Sequence, residues 1–257
     1  MTINTLLRKI LLACLCIIAI PTFAGAAEGQ KDTLRIGIGA GGATSEYKET
    51  DSQIWPVPLL NYEGERFYVR GLTGGIFLYK NSTHELSLNI SYLPQSFDAS
   101  DSDSRAMRQL DDRYSTMLAG ASYRLKSEYG IANLSVSGDV LGTSNGILAD
   151  LSYAYPIPAI SIFQITPAAG VTWTSSNYND YYYGVSGKES RKSGLGSYDA
   201  DDGFSPYAGI NIKAGITENF DILLNGKAVY LSEEIRDSPM VDKDIKYYFS
   251  AGFTYSF

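Results

Sequence analysis

The stretch IKYYFSAGFTYSF, residues 245–257, decides the fold. Ile245, Tyr247, Phe249, Ala251, Phe253, Tyr255 and Phe257 alternate with Lys246, Tyr248, Ser250, Gly252, Thr254 and Ser256. Apolar residues at every second position give a strand one face for an apolar medium and one for a polar medium. The same period returns upstream. In HELSLNISY (84–92), Leu86, Leu88, Ile90 and Tyr92 oppose Glu85, Ser87, Asn89 and Ser91. In GILADLSYAYPI (146–157), Ile147, Ala149, Leu151, Tyr153 and Tyr155 oppose Asp150 and Ser152. FSPYAGINIKAGI (204–216) and FDILLNGKAVYL (220–231) repeat it, with Asn211, Lys213, Asn225 and Lys227 on their polar faces.

A soluble sandwich also alternates, and three features favour an all-β transmembrane antiparallel β-barrel instead. Strand plus turn repeats at about 10 to 14 residues, the length of a tilted membrane strand. Aromatics gather at strand ends (Tyr62, Tyr92, Tyr155, Trp173, Tyr230, Tyr255, Phe257), as interfacial girdles do. Tight turns at EGE, KSEY, IPA and TEN alternate with long polar, acidic stretches at 94–114, 174–203 and 232–244. These become short periplasmic turns and long outer loops. With both termini periplasmic, 84–93 runs outward, so an even number of strands precedes it. Segments 33–42, 54–62, 65–71 and 74–80 supply four, for about 12 in all. Reading RGLTGGIFLY (70–79) as one kinked strand gives the alternative of 10.

The chain begins with the anatomy of an export signal. Arg8 and Lys9 precede the apolar ILLACLCIIAI, and small residues allow cleavage after Ala24, or after Ala26. The apolar run is too short to span a bilayer, which takes roughly 20 residues. Residues 1–24 are thus read as a signal peptide and 25–257 as the barrel. Both cysteines, Cys14 and Cys16, fall in the signal. The mature chain carries 19 basic against 28 acidic side chains, which argues against nucleic acid as a partner.

Several chemical-looking motifs dissolve under the barrel reading. GIGAGG places Gly37, Gly39 and Gly42 in a dinucleotide-like pattern, but no helix pattern follows to receive a phosphate. These glycines are read as thinning the lumen side of the first strand. Asp101, Asp103 and Asp112 sit at calcium-loop spacing, yet Arg105 takes a ligand position and Ala106 that of the required glycine. His84, the only histidine, falls at a periplasmic turn, away from an outer-rim catalytic site. No catalytic residue, metal site or cofactor is therefore assigned. The polar faces place Arg35, Glu85, Arg124, Lys126, Asp139, Asp150, Lys213, Asp221 and Lys227 in the lumen. Opposite charges mix there, so a narrow, largely filled lumen is expected.

Two features carry resemblances. SAGFTYSF resembles the C-terminal signal read by the outer-membrane barrel-assembly machinery, with Ser250, Gly252, Tyr255 and Phe257 at its set places. NDYYYGVS (179–186), DSPMV (237–241) and QLDDRYS (109–115) together resemble segments of the MipA/OmpV family of outer-membrane proteins. The resemblance implies a barrel in the outer membrane of a Gram-negative bacterium, in contact with its lipid and without catalysis. It further implies a scaffold for murein synthesis and remodelling, with a lytic transglycosylase and a penicillin-binding protein as partners. Relatives suggest the alternatives of a small-solute channel, a cation- or antibiotic-binding barrel, or an adhesin. The candidate loop residues are Asp180, Tyr181, Tyr182, Tyr183, Gly184, Asp237, Ser238 and Pro239. If extended, NDYYYGVS points Tyr181 and Tyr183 one way and Tyr182 the other. The tyrosines form either a binding surface or packing over the barrel mouth, and the reading adopted is packing with Tyr182 partly exposed.

Overall fold

The computed structural model describes residues 33–257, so the signal-peptide reading of 1–24 lies outside the described residues. Twelve antiparallel strands form a closed barrel. They are β1 Thr33–Ala43, β2 Gln53–Glu63, β3 Phe67–Arg70, β4 Thr73–Lys80, β5 His84–Leu93 and β6 Thr116–Ser127. The second half comprises β7 Gly130–Asp139, β8 Ile147–Ala154, β9 Phe163–Thr174, β10 Gly203–Gly215, β11 Phe220–Tyr230 and β12 Ile245–Ser256. Each pairs with its sequence neighbours, and β12 returns to β1 with Arg35 opposite Ser256 and Ala43 opposite Tyr248. Closure is what lipid demands, because an open edge leaves backbone groups without partners. The ten-strand alternative fails at Gly71, whose φ of 60° reverses the chain and sets Phe67 opposite Ile76.

The alternation resolves as expected. Ile36, Ile38, Leu86, Leu88, Ile90, Phe249, Phe253 and Tyr255 are exposed on the outer face, which lipid covers. Gly37 and Gly39 face inward at the β1–β12 seam. A Cβ on Gly39 would stand 2.4 Å from the Ala251 carbonyl oxygen, and one on Gly252 would stand 2.8 Å from the Gly39 Cα. The seam closes because neither residue has a side chain. Ser250 and Gly252 face the lumen, while Tyr255 and the exposed Phe257 point outward with ring centroids 5.1 Å apart.

Short turns occupy one rim, read as periplasmic: 64–66, 81–83, 128–129, 155–162 and 216–219. Nearby, the lumen holds a layer of charge. Glu85 meets Arg70 at 3.4 Å, Arg124 at 3.6 Å and Lys126, while Glu63 meets Arg70 at 2.8 Å and Lys80 at 3.2 Å. The anticipated pairing of mixed charges is present. Arg70, Lys80 and Glu63 join it although periodicity alone did not single them out.

The opposite rim carries the long segments 44–52, 94–115, 140–146, 175–202 and 231–244. Two of these contain the α-helices: 175–202 holds α1 Ser176–Tyr183 and α2 Gly187–Ser193, and 231–244 holds α3 Glu233–Arg236. Segment 94–115 contains 3-10 turns at Ala99–Asp101 and Met107–Gln109.

Candidate functional site: a capped barrel mouth

The outer loops build a hydrophobic core of their own above the strands. Tyr47, Phe97, Met107, Leu110, Tyr178, Tyr182, Tyr183, Val185, Ile235, Met240 and Val241 are buried against one another. Five of these eleven are aromatic, and such large rings let tyrosine-rich loops fold as a lid.

The YYY run is helical, which corrects the extended reading. Tyr178 and Tyr182 lie one turn apart on α1 with ring centroids 4.8 Å apart, the contact that spacing of four residues produces on a helix. Tyr182 is fully buried at 0 % exposure, so the expected partial exposure of that residue is also corrected. Tyr181 is the half-exposed member, and its hydroxyl accepts the Tyr114 N–H at 2.9 Å. Asp180 stays on the solvent side. Gly184 ends α1, where a Cβ would fall 2.3 Å from the Asp180 carbonyl.

The three segments singled out in the sequence converge here. From 109–115, Tyr114 accepts the Tyr182 hydroxyl at 2.9 Å, and Arg113 reaches the Gly184 carbonyl at 3.2 Å and Glu189 at 2.8 Å. From 237–241, the Ser238 hydroxyl donates to the Tyr183 carbonyl at 2.6 Å and accepts the Met240 N–H at 3.1 Å. Met240 is fully buried, Pro239 half-buried, and Asp237 exposed.

Glu189 belongs to a capping box with Ser186 at the start of α2. Burial would raise its carboxyl, but the Asp111 N–H, Ser186 and Arg113 outweigh that and hold it at about 2. The S-x-x-E pattern at 186–189 is a local helix-start signal that marks this residue. Glu46, Gln95 and Lys246 carried no such signal. Glu46 is buried beneath the cap, 2.8 Å from Lys246, and accepts Gln95 at 2.8 Å and the Tyr183 hydroxyl at 2.9 Å. Burial pushes the Glu46 carboxyl up, yet the Lys246 charge and these hydrogen bonds bring it below its ordinary value. Tyr183 moves the other way, well above the ordinary phenol value, through burial and the adjacent Glu46 charge.

The aspartates at calcium-loop spacing do other work. Asp112 accepts the Ala99 N–H at 2.9 Å, and Asp103 is exposed beside Arg108. Among the described residues no group of three or more His, Cys, Asp or Glu side chains clusters as metal ligands do. His84 lies at the periplasmic rim, its Nδ1 2.6 Å from the Tyr123 hydroxyl, far along the strand from the cap. Beneath the cap lies a cavity of about 350 Å³.

The family model described as MltA-interacting protein MipA matches residues 36–257. The MltA-interacting protein of Escherichia coli (strain K12) is 40% identical over 240 residues, 93% of this chain and 96% of its own length. Outer membrane protein OmpV of Vibrio cholerae is 27% identical over 221 residues, 86% of this chain and 85% of its own. Among solved structures, an outer membrane channel from Pseudomonas putida F1 aligns over 93% of this chain and 100% of its own, with 11% identity and a TM-score of 0.47. The match over nearly the whole barrel shows that the chain belongs to the MltA-interacting protein MipA family of outer-membrane β-barrels.

Proposed function

We propose that the protein is a non-catalytic docking barrel that holds a lytic transglycosylase, and through it a penicillin-binding protein, at the outer membrane during murein remodelling. The kinship with the Escherichia coli MltA-interacting protein carries this reading. A murein-acting partner must be met on the periplasmic side, where most turns are short. The turn 155–162 is the longest there, and it leaves Ile160 and Ile162 exposed, as the turn 128–129 on the same rim leaves Tyr129. Pro156 and Pro158 stiffen it, which lowers the entropy lost on docking. A stable interface needs roughly 800 Å² per partner, so the neighbouring turns must contribute as well.

The charge layer around Glu85 supports a barrel that does not conduct. Pull-down of a purified lytic transglycosylase by the folded barrel tests the docking role. Replacing Ile157, Ile160 and Ile162 with Ser should abolish capture while the barrel stays folded. Undiminished capture would move the interface elsewhere. Steady planar-bilayer channels from the intact protein would favour the small-solute reading instead.

A further inference from the structure

The barrel wall has a window. Strand β3 spans only four residues and pairs with β2 at Asn61, Tyr62 and Glu63 alone. The Gly71 N–H then reaches the Leu60 carbonyl, and the hairpin has already turned. Among the described residues no strand pairs with 53–59 on that side, and β2 is not a neighbour of β5 in the barrel. The frame is complete. The β3–β4 turn forms its sill, and the Tyr92 N–H binds the Leu72 carbonyl at the far corner. Segment 94–115 crosses the top, where Ser102 pairs with Thr50 and its hydroxyl reaches the Lys48 carbonyl.

The sequence of β2 suits an edge left open. Backbone groups in a strand alternate sides, and Leu60 directs its carbonyl toward β3. Pro56 and Pro58 share its parity, so of the three positions facing the gap only Ile54 has an N–H to leave unsatisfied in lipid. A continuous wall needs no such pair of prolines.

The cavity under the cap reaches this window: Gln53, Trp55, Leu72, Thr73, Ser91 and Tyr92 all line it. Lys227 lines its far side, with Nζ 3.7 Å above the Tyr207 ring and no ion pair among the described residues. Asp150 shares that neighbourhood, held by Thr172 at 2.9 Å and Tyr207 at 3.1 Å and not within ion-pair distance of Lys227. From above, the buried cap and its acidic rim oppose an anion.

We propose that the window admits a single-chain anionic amphiphile of the fatty-carboxylate class sideways from the outer leaflet, with its head at Lys227 and its chain past Trp55. A volume of about 350 Å³ suits one chain rather than a multi-chain lipid, since small-molecule sites run from about 300 to 1,000 Å³. This site is separate from the periplasmic turn, so the two proposals fail independently.

The test uses Trp173→Phe protein in lipid nanodiscs, which leaves Trp55 as the sole tryptophan, with 11-bromoundecanoate as quencher. Heat-modifiable mobility confirms folding of each variant. Saturable quenching is expected, weakened about ten-fold or more by Lys227→Met, as for loss of a charge-assisted contact. Lys227→Arg should retain it, neutral 11-bromoundecanol should bind more weakly, and Ser91→Phe should slow association by narrowing the window. Three results would each overturn the proposal: quenching that rises only with probe density and ignores Lys227→Met; equal binding of the neutral alcohol; or an unslowed Ser91→Phe protein.

Discussion

The Ser238 hydroxyl donates a 2.6 Å hydrogen bond to the carbonyl oxygen of Tyr183. This joins the DSPMV segment to the end of α1 across 55 residues of sequence. Both groups are buried, so each needs the other. The two signature segments of the loops are therefore halves of one lid, and the lid's stability is the first property to test.

Tyr182→Ala removes a fully buried ring from the centre of that lid. Loss of a large buried aromatic costs about 3–5 kcal/mol, here confined to the loop core rather than the strands. Faster protease cleavage within 175–202 on intact cells is expected, with heat-modifiable mobility of the barrel retained. Tyr181→Ala, at the half-exposed position, should have a smaller effect. Equal sensitivity of the two variants would contradict the packing order described.

The lid should loosen in acid through Glu189. Its folded value of about 2 lies below the ordinary 4.5. A depressed carboxyl contributes stability that is full above the ordinary value and lost as pH falls toward the folded one. Loop protection should hold from pH 7 to about 5 and decline between about 4.5 and 2. An acid-stable protease such as pepsin reads the lower part of that window. Glu189→Gln should flatten the profile and lower protection at neutral pH.

Lys246→Met should destabilise more than the double change Lys246→Met with Glu46→Gln. The single variant leaves a carboxylate buried without its cation, at a cost of about 3–5 kcal/mol. The double variant removes the charge along with its partner. Unfolding midpoints in urea, followed by gel mobility, give the comparison. A double variant no more stable than the single one would assign Glu46 no net charge burden.

Deleting Phe257, or replacing it with Asp, should leave export intact yet lower the folded outer-membrane fraction and raise periplasmic degradation. We infer this from the outward placement of Tyr255 and Phe257 at the interfacial end of β12. Normal surface levels of the variant would separate this residue from assembly.

Periodicity determined the barrel. Alternation in 84–92 and 245–257 assigned inner and outer faces, because side-chain direction in a strand depends only on position along it; parity required an even number of strands, and the turn at Gly71 decided twelve over ten. Local spacing could also have shown α2, through Ser186 and Glu189, and α1, through Tyr178 and Tyr182 four apart. Applying strand alternation to 179–186 gave the extended reading of α1 instead. Only the tertiary structure decided that Glu46 is buried, since its charge is tolerable only beside Lys246, 200 residues away. Likewise, Pro56 and Pro58 read as ordinary strand residues until the short β3 showed which edge they face. A strand's pattern is written in its own residues. A lid and a window depend on which distant segments closure brings together, and no local period encodes that.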